Sequence, residues 1–145
     1  MKEVNEDIFD WLDRNKDSKV VLVHCISADK ALGAGIAKEI EKRFKVKSKL
    51  KETICWDGFG EPTFTAINEN FWIVNLVTKW RYFDKPTYET IEEALRESRP
   101  FVRSIKGVKI VMPKIGCGLD GLYWNRVKEI IEKEYIGLDV TVCYL

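Results

Sequence analysis

Lys19 to Cys25, Lys-Val-Val-Leu-Val-His-Cys, is a β-branched apolar run too short for a helix. It predicts a strand buried on both faces, as in parallel sheets. Eight residues on, the chain reads Gly33-Ala34-Gly35-Ile36-Ala37 and continues into Lys38-Glu-Ile-Glu-Lys-Arg-Phe44. There Ile36, Ile40 and Phe44 recur at spacing four among charged residues, the stripe of an amphipathic helix. A strand, a glycine loop and a helix in that order place unpaired N–H groups at a helix N-terminus, where they and the helix dipole favour an anion, most often a phosphate. A second glycine loop, Gly116-Cys117-Gly118-Leu119-Asp120, again follows a strand and precedes a helix. Two phosphate-facing loops make a diphosphate the first ligand to expect.

The rest of the chain predicts the same class of fold. Thr63 to Ile67 and Phe71 to Thr78 are β-rich runs joined by Asn68-Glu69-Asn70, a hairpin pattern that puts an antiparallel pair in a largely parallel sheet. Thr87 is a predicted N-cap, and Tyr88, Ile91 and Leu95 carry a helix to about Arg99, where Pro100 is expected to disturb it and Gly107 to stop any continuation. Val108 to Met112 reads as a strand, Trp124, Val127 and Ile131 as a helix face, and Leu138 to Tyr144 as a closing strand. The alternation predicts a three-layer α/β/α domain with a mixed, mostly parallel central sheet, one domain over residues 1–145. The basic stretch Lys42 to Lys51 reads as a solvated helix end and loop.

Composition narrows the function classes. Twenty-four Lys and Arg against 23 Asp and Glu leave a net charge of +1, too little field for a nucleic-acid surface. No apolar run approaches the roughly 20 residues that span a bilayer, and Met1 to Asp7 lacks the apolar core of a signal peptide. A cytoplasmic or nucleocytoplasmic monomer is the expectation. Cys25, Cys55, Cys117 and Cys143 show no metal-ligand spacing and His24 is the only histidine, so no structural metal is expected.

Several residues invite two readings. Gly33 and Gly35 either admit a phosphate to the backbone or let a helix pack close to a strand; Lys38 stands where a dinucleotide fingerprint needs Gly or Ala, and the G-K-[ST] ending of a P-loop is absent. Asp120 either caps the helix near Leu122 or serves as a base. Lys79, where the strand Phe71 to Thr78 runs out, is either a surface lysine or a nucleophile assisted by Arg81, Lys85 or Asp120. His24 lies in a buried pattern and reads as a core residue, Ser27 either bonds a ribose or shapes its loop, and Cys117 lacks a visible base partner for thiol chemistry.

Taken together, His24-Cys25-Ile26-Ser27, Gly33 to Ala37, Thr78-Lys79, Lys85-Pro86-Thr87-Tyr88-Glu89 and Met112-Pro113-Lys114-Ile115-Gly116-Cys117-Gly118-Leu119-Asp120 resemble the macrodomain family, whose members bind ADP-ribose. The order and separation of these motifs are similar to the branch of terminal ADP-ribose protein glycohydrolases, with the ADP-ribose-1''-phosphate phosphatases more distant. The resemblance implies ADP-ribose lying across the carboxyl ends of the strands. It assigns the adenine to Asp7 and Ile8, the distal ribose and phosphates to Gly33, Ala34, Gly35 and Ile36, and the diphosphate to the N–H groups of Gly116, Cys117, Gly118 and Leu119. Ser27 stands where many macrodomains carry the Asn used by water-based deacetylases, which argues against that activity. In the glutamate-deconjugating branch, the residue matching Lys79 attacks the anomeric carbon of the distal ribose and the one matching Asp120 assists as base. The resemblance therefore implies a cofactor-free hydrolase that removes ADP-ribose from acidic side chains or from small 1''-linked derivatives. An ADP-ribose-1''-phosphate phosphatase, with His24 or Asp120 as acid or base, and a non-catalytic ADP-ribose reader are the alternatives.

Overall fold

Val20–Ser27 forms the strand at the heart of the sheet. The computed structural model describes residues 1–52 and 62–145, and Cys55 lies outside the described residues. In chain order the elements are β1 (Lys2–Asn5), α1 (Ile8–Arg14), β2 (Val20–Ser27), α2 (Gly35–Phe44), α3 (Val46–Glu52), β3 (Thr63–Asn68), β4 (Phe71–Lys79), α4 (Tyr88–Arg103), β5 (Lys109–Met112), α5 (Trp124–Glu134) and β6 (Asp139–Tyr144). The sheet runs β1-β6-β5-β2-β4-β3, and among the described residues only the β3–β4 pair is antiparallel. The hairpin read from the sequence is thus the edge of an otherwise parallel, mixed sheet.

Alternation along β2 and β4 builds the two faces. Val21, Val23, Val74 and Leu76 pack with Ile91 and Leu95 of α4 and Val127 and Ile131 of α5. Val20, Leu22, Ile26, Ile73 and Val77 pack with Ile8, Phe9 and Trp11 of α1, Ile40 of α2, and Val46 and Leu50 of α3. Each such fully buried aliphatic side chain contributes roughly 1.5–3 kcal/mol, which is why both faces of β2 are apolar. Among the described residues no helix is long and apolar enough to cross a membrane.

Two local expectations need correction. Pro100 does not end α4: the helix continues to Arg103, where Phe101 stacks on Phe64 at 4.2 Å and Val102 is fully buried. Packing of that last turn outweighs the hydrogen bond that proline removes. The stretch Lys42 to Lys51 is not a plain loop, because Lys45 adopts a left-handed conformation (φ 56°), closes α2 and redirects the chain into α3, burying Val46 and Leu50 at spacing four. α1 is capped by Asp7, whose Oδ1 accepts the N–H of Phe9 at 2.8 Å.

A polar network lies inside the α1–α2–α3 side. His24 Nε2 meets Asn75 Oδ1 at 2.6 Å, and Asn75 Nδ2 donates to the hydroxyls of Thr63 (3.2 Å) and Thr65 (3.0 Å). With Asn75 Oδ1 as acceptor, Nε2 carries the proton of a neutral imidazole. Burial pushes the His24 pKa down to about 4, only partly opposed by Asn75. The unfolded chain therefore takes up a proton near pH 6.5 that the folded chain refuses until about pH 4, so stability is full above pH 6.5 and falls as the pH drops through that window. Urea unfolding should show a loss of about 1.4 kcal/mol per pH unit between roughly pH 6.5 and 5. His24→Gln, with no titrating ring, should flatten that slope; an unchanged slope would contradict the assignment.

Candidate active-site cleft

β2 lies between β4 and β5, so the residues that follow these two strands come together across its carboxyl end, the place where open α/β sheets hold ligands. The pairing of β2 with β4 slips at this point. Ile26 faces Val77, but Ser27 faces Lys79, leaving Thr78 as an extra residue. The extra residue breaks the alternation, and Thr78 and Lys79 both line a cleft of 710 Å³. That volume is in the range of small-molecule sites.

Residues of both glycine loops line the cleft. Ala34 stands at the N-cap of α2 and offers no side-chain acceptor, so the first-turn N–H groups of α2 open toward the cleft. Gly35 has φ 57°, and a Cβ on it would lie 3.9 Å from Leu119 Cδ1 of the other loop. Lys30 and Leu32 also take left-handed φ values, 58° and 44°, which bends the segment before α2 sharply.

The second loop turns at Gly116, whose φ is 72°. A Cβ there would come within 2.5 Å of the buried Ile91 Cδ1 and 3.1 Å of Leu122 Cδ1, whereas one on Gly118 would meet nothing within 4 Å among the described residues. Gly116→Ala should therefore lower stability by about 1–3 kcal/mol in thermal or urea unfolding. Gly118→Ala should stay within about 0.5 kcal/mol of the parent, and equal losses for the two would count against this steric account.

Lys79 Nζ and Asp120 Oδ1 meet at 2.8 Å, with side chains 15% and 18% exposed. Asp120 caps no helix: α5 begins at Trp124 with Tyr123 at its N-cap, so the carboxylate faces the lysine. Near them sits Asp29, which sequence reasoning missed. Its carboxylate accepts from Ser27 Oγ, from the Ala31 N–H at 3.1 Å and from the Tyr82 N–H at 2.9 Å. Burial opposes its charge, but these hydrogen bonds and the Lys79 charge hold its carboxyl below the usual range. The signal was its place two residues after Ser27, the spacing of a side-chain turn. Lys85 Nζ donates to the Leu119 carbonyl at 2.6 Å, so the segment after β4 is tied to both loops.

Ser27, Gly33, Ala34, Gly35, Ile36, Gly116, Gly118, Leu119, Lys79 and Asp120 all line the cleft. Cys117 does not, because its N–H turns back to the Lys114 carbonyl at 3.2 Å and its thiol donates to the Ile115 carbonyl at 3.3 Å. Burial raises the Cys117 pKa, which disfavours the thiolate that thiol chemistry needs. Asp7 and Ile8 also lie outside the lining, Asp7 occupied as the α1 cap and Ile8 buried. His24 is fully buried and apart from the cleft.

The macrodomain of Thermus aquaticus DarG superposes with a TM-score of 0.78 at 20% identity, covering 99% of this chain and 97% of that one. Over 121 residues the chain is 34% identical to the ADP-ribose glycohydrolase OARD1 of Bos taurus, covering 83% of this chain and 78% of that protein. This chain belongs to the macrodomain family. No family model matches the macrodomain's sequence. Thermosipho africanus DarTG, whose structure contains ADP-ribose, aligns to 85% of the macrodomain with a TM-score of 0.68 at 20% identity, the match covering 37% of that chain.

Proposed function

We propose that this macrodomain binds ADP-ribose between its two glycine loops and hydrolyses the ester that joins the distal ribose to an acidic side chain. The observation that carries the reading is the Lys79–Asp120 pair at 2.8 Å on the cleft wall. The similarity to a glycohydrolase and the macrodomain fold support it. A diphosphate suits the open N–H groups of α2 and the loop around Gly118, and a ribose hydroxyl suits Ser27.

The chemistry follows from the pair. A lysine is a nucleophile only as the free amine, so its proton must leave before attack, and Asp120 is placed to take it. Nζ then bonds to the anomeric carbon, the carbon–oxygen bond to the acyl group breaks, and its electrons depart with the carboxylate. Water displaces Nζ from the adduct, its oxygen becoming the hydroxyl of free ADP-ribose and its second proton leaving to solvent, and Asp120 returns its own proton to the amine.

Incubation with glutamate-linked ADP-ribosylated protein should release ADP-ribose. Side-by-side turnover of ADP-ribose-1''-phosphate tests the phosphatase alternative, which a higher kcat/KM on that substrate would favour. Tight binding of ADP-ribose with neither substrate cleaved would instead make the protein a reader.

A further inference from the structure

Beyond Lys79 the chain runs along the rim of the cleft as Trp80-Arg81-Tyr82-Phe83-Asp84-Lys85. Trp80, Tyr82 and Phe83 are 50%, 66% and 61% exposed, and Tyr82 and Phe83 line the cleft on the Lys79 side. The two rings meet edge to face at 5.3 Å, and the Arg81 guanidinium lies 5.8 Å from the Phe83 centroid. Hydrogen bonds from the Tyr82 N–H to Asp29 and from Lys85 to the Leu119 carbonyl hold the segment at both ends. Three large aromatic side chains kept in water on a tied segment beside a reactive cleft form the kind of exposed apolar surface that marks a contact site. Aromatic residues and arginine are also the types that carry most energy in such contacts.

We infer that this aromatic rim seats the polypeptide around a modified Glu or Asp, so that Tyr82 and Phe83 add affinity for an ADP-ribosylated peptide beyond that for ADP-ribose itself. The inference rests on the ADP-ribose reading of the cleft. If Lys79 attacks the anomeric carbon, the departing carboxylate and whatever carries it lie beside Lys79, and Tyr82 and Phe83 follow it closely along the chain in the same cleft lining. A phosphate or an acetyl group offers little apolar surface to two aromatic rings, whereas a polypeptide offers side chains and backbone. A nucleic acid would need a continuous cationic track, but Arg81 and Lys85 share this rim with Asp29 and Asp84, and the chain carries a net charge of only +1.

The test separates binding from chemistry. In Lys79→Ala protein, expected on the proposed mechanism to hold substrate without turning it over, calorimetry compares ADP-ribose with a glutamate-linked ADP-ribosyl peptide, with the rim intact and with Tyr82→Ala/Phe83→Ala. The intact rim should bind the peptide on the order of tenfold more tightly than ADP-ribose, and the double substitution should remove that margin. Both substituted side chains are exposed, and melting curves check that the variant folds. Equal affinity for peptide and ADP-ribose with the rim intact would overturn the inference. So would a parallel loss for both ligands, which would make the rings part of the ADP-ribose site, or a larger margin for an ADP-ribosylated oligonucleotide lost on the same substitution. Failure of every protein to bind ADP-ribose itself would instead overturn the underlying reading of the cleft, and the ADP-ribose arm alone reveals it.

Discussion

Lys79→Arg is expected to abolish release of ADP-ribose from glutamate-linked protein, a loss of at least about 10²-fold in kcat, while binding of ADP-ribose persists. Arginine keeps the positive charge and can pair with Asp120, but its guanidinium stays protonated and cannot attack carbon. The substitution therefore separates a nucleophile from a cation that merely neutralises phosphate. Lys79→Ala should lose as much activity, with the added effect of leaving the Asp120 carboxylate, 18% exposed, without its partner. Release assays with ADP-ribose calorimetry check both variants, and near-parental turnover by Lys79→Arg would remove the amine from the mechanism.

Asp120→Asn should lower kcat by about 10²- to 10⁴-fold, the usual range for a positioned base, with a smaller change in KM. The amide fills nearly the same space and still accepts a hydrogen bond from Lys79, but it cannot take the amine's proton. If Asp120 also serves to return that proton when water releases the adduct, a covalent ADP-ribosyl-lysine should accumulate in this variant and be visible as a mass increase on intact protein. A drop confined to KM would point to a binding role and away from acid–base work.

Local patterns in the sequence carry much of the fold. The apolar run of β2, the stripe of α2 and the Asn-bearing joint of the β3–β4 hairpin each announce their element through the residues they contain. α3 is harder to see, because its buried pair Val46 and Leu50 is separated by lysines and a serine and the turn before it depends on Lys45 adopting φ 56°. α1 has only seven residues, too few for a clear period, and its cap Asp7 competes with the adenine role that the family resemblance suggests. The end of α4 is set by Phe101 meeting Phe64, a contact made across the sheet and not along the helix.

The site divides in a similar way. Each glycine loop is legible as a strand–loop–helix pattern, but the meeting of Gly35 with Leu119 depends on β2 lying between β4 and β5, which no local pattern encodes. Lys79 and Asp120 are 41 residues apart, and their contact comes from the same strand order. Asp29 draws little notice as a lone carboxylate in a loop; its part emerges only when Tyr82, 53 residues away, is seen to donate to it.

The extra residue in β4 bears on how this scaffold tolerates change over evolution. Inserting or deleting one residue between Phe71 and Thr78 would shift β4 against β2 and take Lys79 out of its register opposite Ser27. The rim from Trp80 to Lys85 lies beyond that count. On the proposed mechanism, reactivity belongs to the sheet and the choice of carrier to a surface segment, so that a change of carrier would not require rebuilding the chemistry.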